Sequence, residues 1–81
     1  MPRFIDVHNL PGATAEAVAE AHERDLEKQG EYDVNILRYW FDQSNGKVFC
    51  LIDAPSSEAA NRVHAEAHGL VADEIYEVQE G

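Results

Sequence analysis

The chain has 81 residues, of which 16 are acidic and 6 are basic, and its formal net charge at pH 7 is −10. This charge argues against nucleic acid and anionic membranes as partners, because both would repel it. The length suits a single domain over residues 1–81, and a domain this small gains stability from oligomerisation. The N-terminal segment has no long apolar run and the single cysteine, Cys50, has no internal partner, so we expect a cytoplasmic protein.

Apolar periodicity, turn residues and helix caps predict six elements. In chain order they are a strand over 3–8, a helix over 14–28, strands over 32–42 and 47–54, a helix over 56–68 and a strand over 72–79. Thr14 is the expected N-cap of the first helix, and Gly30 and Gly69 are the expected residues after the two helices. Asn45-Gly46 marks a hairpin between the second and third strands.

This β-α-β-β-α-β order predicts an α+β, ferredoxin-like domain. Right-handed crossovers place both helices on one face of a four-stranded antiparallel sheet, with the first and third strands at its centre.

The face of the sheet away from the helices is also predicted to be apolar. Strict alternation in the second strand puts Leu37, Tyr39 and Phe41 on one face and Ile36 and Trp40 on the other. The third strand is apolar on both faces as well, whereas a strand with one face in water alternates apolar with polar residues. We therefore expect a homodimer that packs through the uncovered face, the alternative being a monomer with an exposed apolar patch.

The first helix carries two polar residues on its apolar side. That side is formed by Ala15, Val18, Ala21 and Leu26, whereas Glu16, Glu20, Glu23 and Glu27 lie opposite. His22 and Asp25 fall within the apolar side, three residues apart, where they are able to act on one target. Burial of such a pair is costly unless it finds partners, so both residues are candidates for a functional site.

The second helix presents two histidines on one face, because His64 and His68 are spaced i, i+4. This spacing suits two imidazoles that bind one metal ion, although the zinc-protease motif is absent. We expect His64 to flank the buried side and His68 to lie nearer to solvent. His22 and His64 each lie eight residues beyond a predicted cap, so parallel helices would bring them to the same depth in a shared groove, near Asp25.

The first strand offers a second pair of candidate ligands. Asp6 and His8 share a face with Phe4, and they could bind one ion, or Asp6 could orient the His8 ring. The alternative is that both only line an interface or the end of a strand. Cys50 stands in an apolar strand and is expected to be a small core residue, since no base or positive charge lies beside it in the sequence.

Several segments at matching intervals resemble a known family over almost the whole chain. They are DVH at 6–8, AHERDL at 21–26, GKVFCL at 46–51, APSSEAANRVHAEAHG at 54–69 and ADEIYEV at 72–78. The chain resembles a small actinobacterial-type family of unknown function that includes a nickel-binding protein. The resemblance implies a dimeric ferredoxin-like protein linked to nickel responsiveness. The positions that match as candidate metal ligands are His8, His22, Asp25, His64 and His68, together with Asp6 and Cys50.

The first hypothesis is a homodimer that binds a divalent metal ion for sequestration or response rather than for catalysis. Imidazole and carboxylate ligands suit nickel, and they also suit zinc or copper. A second hypothesis is a cofactorless oxygenase or isomerase, in which His22 acts as a general base oriented by Asp25. A third is a small-ligand or interaction module in which His22 and Asp25 only satisfy each other.

Overall fold

Four strands and two α-helices follow one another in the predicted β-α-β-β-α-β order. The computed structural model describes residues 1–81. The elements are β1 (Arg3–Asn9), α1 (Ala15–Lys28), β2 (Asn35–Asp42), β3 (Lys47–Asp53), α2 (Ser57–Ala67) and β4 (Glu74–Val78), with a short 3₁₀ helix at Gln29–Tyr32. Neither helix is long and apolar enough to cross a membrane.

The strands form one antiparallel sheet in the order β2-β3-β1-β4, so β1 and β3 are central as predicted. Asp6 on β1 lies opposite Cys50 on β3, in the face that the helices cover. The core lies between that face and the helices, and its fully buried residues include Ile52, Ala54 and Val63. This is the ferredoxin-like arrangement, with both helices packed on one side of the sheet.

Local signals account for the helix starts and for one of the two ends. Thr14 accepts a hydrogen bond from the backbone N–H of Ala17 at 3.1 Å, and Ser56 accepts one from Ala59 at 3.1 Å. Gly69 follows α2 with φ of 83°, as expected of a residue that ends a helix. Gly30 stands directly after Gln29, the C-cap of α1, as predicted, but the chain continues there into the 3₁₀ helix and takes a positive φ only at Asp33, where φ is 56°.

A β-bulge in β2 corrects the predicted alternation. The pairing with β3 shifts by one residue between Ile36 and Arg38. Ile36 therefore faces the helices together with Tyr39, whereas Leu37 is 38% exposed. An extra residue in one strand moves every later side chain to the other face, which alternation alone does not show.

The second face of the sheet is apolar, as predicted. Ile5 lies beside Leu51 and Val7 beside Phe49 in the centre of this face. Trp40 on β2 flanks them and is 49% exposed. The helices do not cover this face, which stays partly open in the single chain.

Candidate metal centre

Three imidazoles and two carboxylates alternate in a line beneath the helices. His8 Nε2 lies 3.3 Å from Asp6 Oδ1, and the other oxygen of Asp6 lies 2.7 Å from His64 Nε2. His64 Nδ1 lies 3.0 Å from Asp25 Oδ1, which also lies 3.0 Å from His68 Nε2. We call these five residues the His–Asp cluster. The cluster joins β1, α1 and α2, so it exists only in the folded chain.

His64 is the centre of the cluster and is only 1% exposed. It was expected at the flank of α2, but it faces the sheet beside Val63 and reaches Asp6 on β1. A buried imidazole needs partners for both nitrogens, and the two carboxylates supply them.

The partners of His64 fix its protonation state. Ionised Asp6 and Asp25 only accept hydrogen bonds, so both ring nitrogens of His64 must donate, and the ring is an imidazolium. Burial lowers the pKa of His64, but the hydrogen bonds to Asp25 and Asp6 outweigh it and raise the pKa to about 9. Burial likewise raises the pKa of Asp6, yet contacts with His64 and His8 bring it down to about 2. The pKa of Asp25 is lowered in the same way, against its burial, by His64 and His68.

His68 holds Asp25 in place. It follows the last turn of α2, and its Nδ1 accepts a hydrogen bond from the backbone N–H of Leu70 at 3.0 Å. The proton of a neutral ring must then be on Nε2, which donates to Asp25 Oδ1. The His68 side chain is only 7% exposed, so it lies deeper than the position near solvent that the helical pattern predicts.

One oxygen of the cluster lacks a hydrogen bond. Asp6 Oδ1 is buried without a hydrogen-bond partner, although His8 Nε2 is 3.3 Å away. In the tautomer of His8 that leaves Nε2 unprotonated, Nε2 and Asp6 Oδ1 would together offer two lone pairs to a cation. Ligand atoms of Asp6, His8, Cys50 and His64 all lie within 4.8 Å of one another, and those of Asp25, His64 and His68 form a second such group.

Cys50 lies in the core, as the sequence indicates, and it also borders the cluster. Burial, and then the negative charge of Asp6, raise the pKa of its thiol well above the usual value. The thiol therefore stays protonated, and a metal ion would have to displace that proton before the sulfur could bind.

His22 is not part of either group. Its ring packs on Tyr39 with centroids 4.5 Å apart, whereas Asp25 pairs with His64 and His68. His22 nevertheless lines a cavity of about 430 Å³ between the sheet, α1 and the loop that precedes α1. His8, Asp25 and His68 line the same cavity, so four of the five predicted ligands border one space, while His64 lies behind it.

The fold and the cluster together define a ferredoxin-like domain with a buried set of imidazole and carboxylate groups of the kind that bind metal ions. The chain belongs to the family described as nickel responsive protein SCO4226-like, whose sequence profile matches residues 4–78. The resemblance seen in the sequence is therefore confirmed.

A solved relative has the same architecture. The crystal structure of SCO4226 from Streptomyces coelicolor A3(2) superposes with a TM-score of 0.91 and 39% sequence identity, and the match covers 98% of both chains. A search of curated proteins finds no match.

Proposed function

We propose that the His–Asp cluster binds a divalent transition-metal ion, nickel in particular, and that the protein serves in nickel sequestration or response. The observation that carries this proposal is the unpaired Asp6 Oδ1, buried 3.3 Å from His8 Nε2. A buried carboxylate oxygen without a partner is costly, and a cation between it and the imidazole would remove that cost.

The charge of the cluster favours a divalent ion. Asp6 and Asp25 contribute two negative charges and the His64 imidazolium one positive charge, which leaves one net negative charge in the core. If an ion of charge +2 replaces the proton of His64, the charges of the two carboxylates and the metal ion sum to zero. Neutralisation of a buried cluster supports metal binding, because uncompensated charge is expensive at low dielectric.

The ligands we assign are Asp6, His8 and His64, and the protonated thiol of Cys50 lies beside them. Asp25 and His68 would hold the His64 ring in place, as carboxylates commonly do for metal-bound histidines. His22 has no place in this set, since its ring lies against Tyr39.

Nickel is chosen over zinc and copper because of the family to which the chain belongs. Imidazole and carboxylate groups bind all three ions, and copper binds such sites more tightly than nickel does. The family description names a nickel response, which suggests that the supply of metal in the cell determines what is bound.

The experiment is calorimetric titration of tag-free, metal-stripped protein with nickel and with zinc. His8→Ala should weaken nickel binding, while the matched control His22→Ala should leave it unchanged, because both residues line the cavity and only His8 contacts Asp6. Asp6→Asn should also weaken binding at nearly constant volume. The proposal fails if nickel does not bind, or if His22→Ala abolishes binding while His8→Ala has no effect.

We further propose that the protein acts as a homodimer through the second face of the sheet. Ile5, Phe49 and Leu51 are only half-buried there, and Trp40 and Tyr76 are about half exposed, at 49% and 52%. A contiguous apolar face rimmed by polar residues is typical of an interface, and a second copy would supply a matching surface.

A further inference from the structure

The cavity beside the His–Asp cluster is larger than a metal ion requires. Its volume is about 430 Å³, within the range of roughly 300–1,000 Å³ typical of small-molecule sites. A water molecule occupies about 30 Å³ in the liquid, so an ion with a few waters would leave most of the space unfilled. Nine of the 16 lining residues are hydrophobic, among them Leu10, Val18, Ala21 and Val48. The cavity therefore suits an organic molecule with an apolar body.

The charges that line the cavity favour a cation over an anion. No lysine or arginine lines it, and Asp25 is its one acidic residue. Both imidazoles that hold Asp25, those of His64 and His68, contact the same oxygen, Oδ1. The contacts of Asp25 with both imidazoles are made through Oδ1, so Oδ2 is able to accept a hydrogen bond from a ligand in the cavity that Asp25 lines.

An aromatic wall adds a second feature that suits a cation. The rings of His22 and Tyr39 pack at 4.5 Å with an angle of 46° between their planes, and both residues line the cavity. The face of a tyrosine ring carries partial negative charge and attracts cations within about 6 Å.

We propose that this cavity binds a small organic amine whose ammonium group donates to Asp25 Oδ2. The apolar body of the amine packs against the inner side of α1, at Val18 and Ala21, and against Val48 of β3. This site requires no metal ion, and it is tested on metal-stripped protein. Its failure would leave the nickel proposal standing, and the failure of nickel binding would leave this one standing.

The test uses three probes with the same ring and different charge, namely benzylamine, benzyl alcohol and benzoate, followed by amide NMR shifts. We expect benzylamine to bind about tenfold tighter than benzyl alcohol, because its ammonium donor carries a charge opposite to that of the Asp25 carboxylate, whereas the hydroxyl donor is neutral. Benzoate should bind weakest, since the Asp25 carboxylate repels it and no lysine or arginine lines the cavity. The shifted amides should belong to α1 and to the loop over residues 10–13. Equal binding of the three probes, no binding of any, or shifts confined to the open face of the sheet would overturn the proposal.

Two pairs of proteins test the position of the amine. Ala21→Phe places a ring in the cavity and should abolish benzylamine binding, whereas Ala19→Phe, exposed on the same helix and outside the cavity, should not. Asp25→Asn should remove the preference for benzylamine over benzyl alcohol. If Asp25→Asn fails to fold, the three probes on the unaltered protein still decide the charge preference. Undiminished benzylamine binding by folded Ala21→Phe would refute the site.

Discussion

Nickel affinity should rise about 25-fold between pH 7 and pH 8.5 if His64 is a ligand. The pKa of His64 is raised to about 9, so at pH 7 only about 1% of the rings have lost the proton, and at pH 8.5 about a quarter have. A metal binds only the deprotonated nitrogen, so the apparent affinity follows that fraction. A histidine with an unperturbed pKa of about 6.5 would give a rise of less than 1.5-fold over the same range.

The assay is a competition titration with a chelator of known nickel affinity, in buffers that do not bind the metal. Calorimetry at pH 7 in two buffers of different ionisation enthalpy should show the release of close to one proton for each ion bound. His22→Ala should keep the same pH slope, because His22 does not contact His64. An affinity that rises less than twofold, with no proton released, would refute the assignment of His64 as a ligand.

Three further outcomes concern the stability of the protein and its assembly. The metal-free protein should lose stability between pH 7 and pH 9.5. A histidine whose folded pKa is raised to about 9 stabilises the fold fully below about 6.5 and ceases to do so as the pH rises through 9, so urea unfolding should show a loss of about 2 kcal/mol over this range. In analytical ultracentrifugation, Trp40→Asp should sediment as a monomer. Val71→Asp, at an equally exposed position in a loop, should sediment as the unaltered protein does. An unchanged mass for both variants would contradict dimerisation through the sheet. Gly46→Ala should lower the urea midpoint more than Gly12→Ala. Both glycines have positive φ, and only the Gly46 Cβ would meet Pro11 Cα, at 2.7 Å. The backbone strain costs about 1–2 kcal/mol in each variant, and the clash adds about 1–3 kcal/mol in Gly46→Ala.

The sequence was sufficient to predict the elements and their order, because the signals involved are local. Thr14 and Ser56 cap their helices, and Asn45-Gly46 lies in the turn of the hairpin. The bulge near Leu37 was missed, because the register of β2 depends on its pairing with β3 rather than on its own alternation.

The composition of the candidate site was only partly predictable. The predicted caps are correct, but the expectation that His22 and His64 lie at the same depth is wrong, because it assumed parallel helices. β1 and β3 are antiparallel, so α1 and α2 begin at opposite edges of the sheet, and the contacts of Asp25 with His68 and of Lys28 with Glu66 run in opposite directions along the two helices. Rotation about the helix axis also turns Asp25 rather than His22 towards α2. That rotation is set by packing over the whole core. The signal that pointed to the actual cluster was Asp6 on the helix-facing side of a central strand, where a carboxylate requires a partner.

The hydrogen bond between Asp6 and His64 joins residues 58 positions apart, which has a consequence for synthesis of the protein. A chain that leaves the ribosome presents Asp6 first and Asp25 next, and it has no His64 until α2 has been made. Until then, Asp6 and Asp25 lack the imidazolium that neutralises one of their two charges, so burial of β1 beneath the helices is unfavourable. Synthesis of the final third of the chain thus determines when β1 can be buried beneath the helices. We therefore expect truncated chains that end before α2 to remain susceptible to proteolysis.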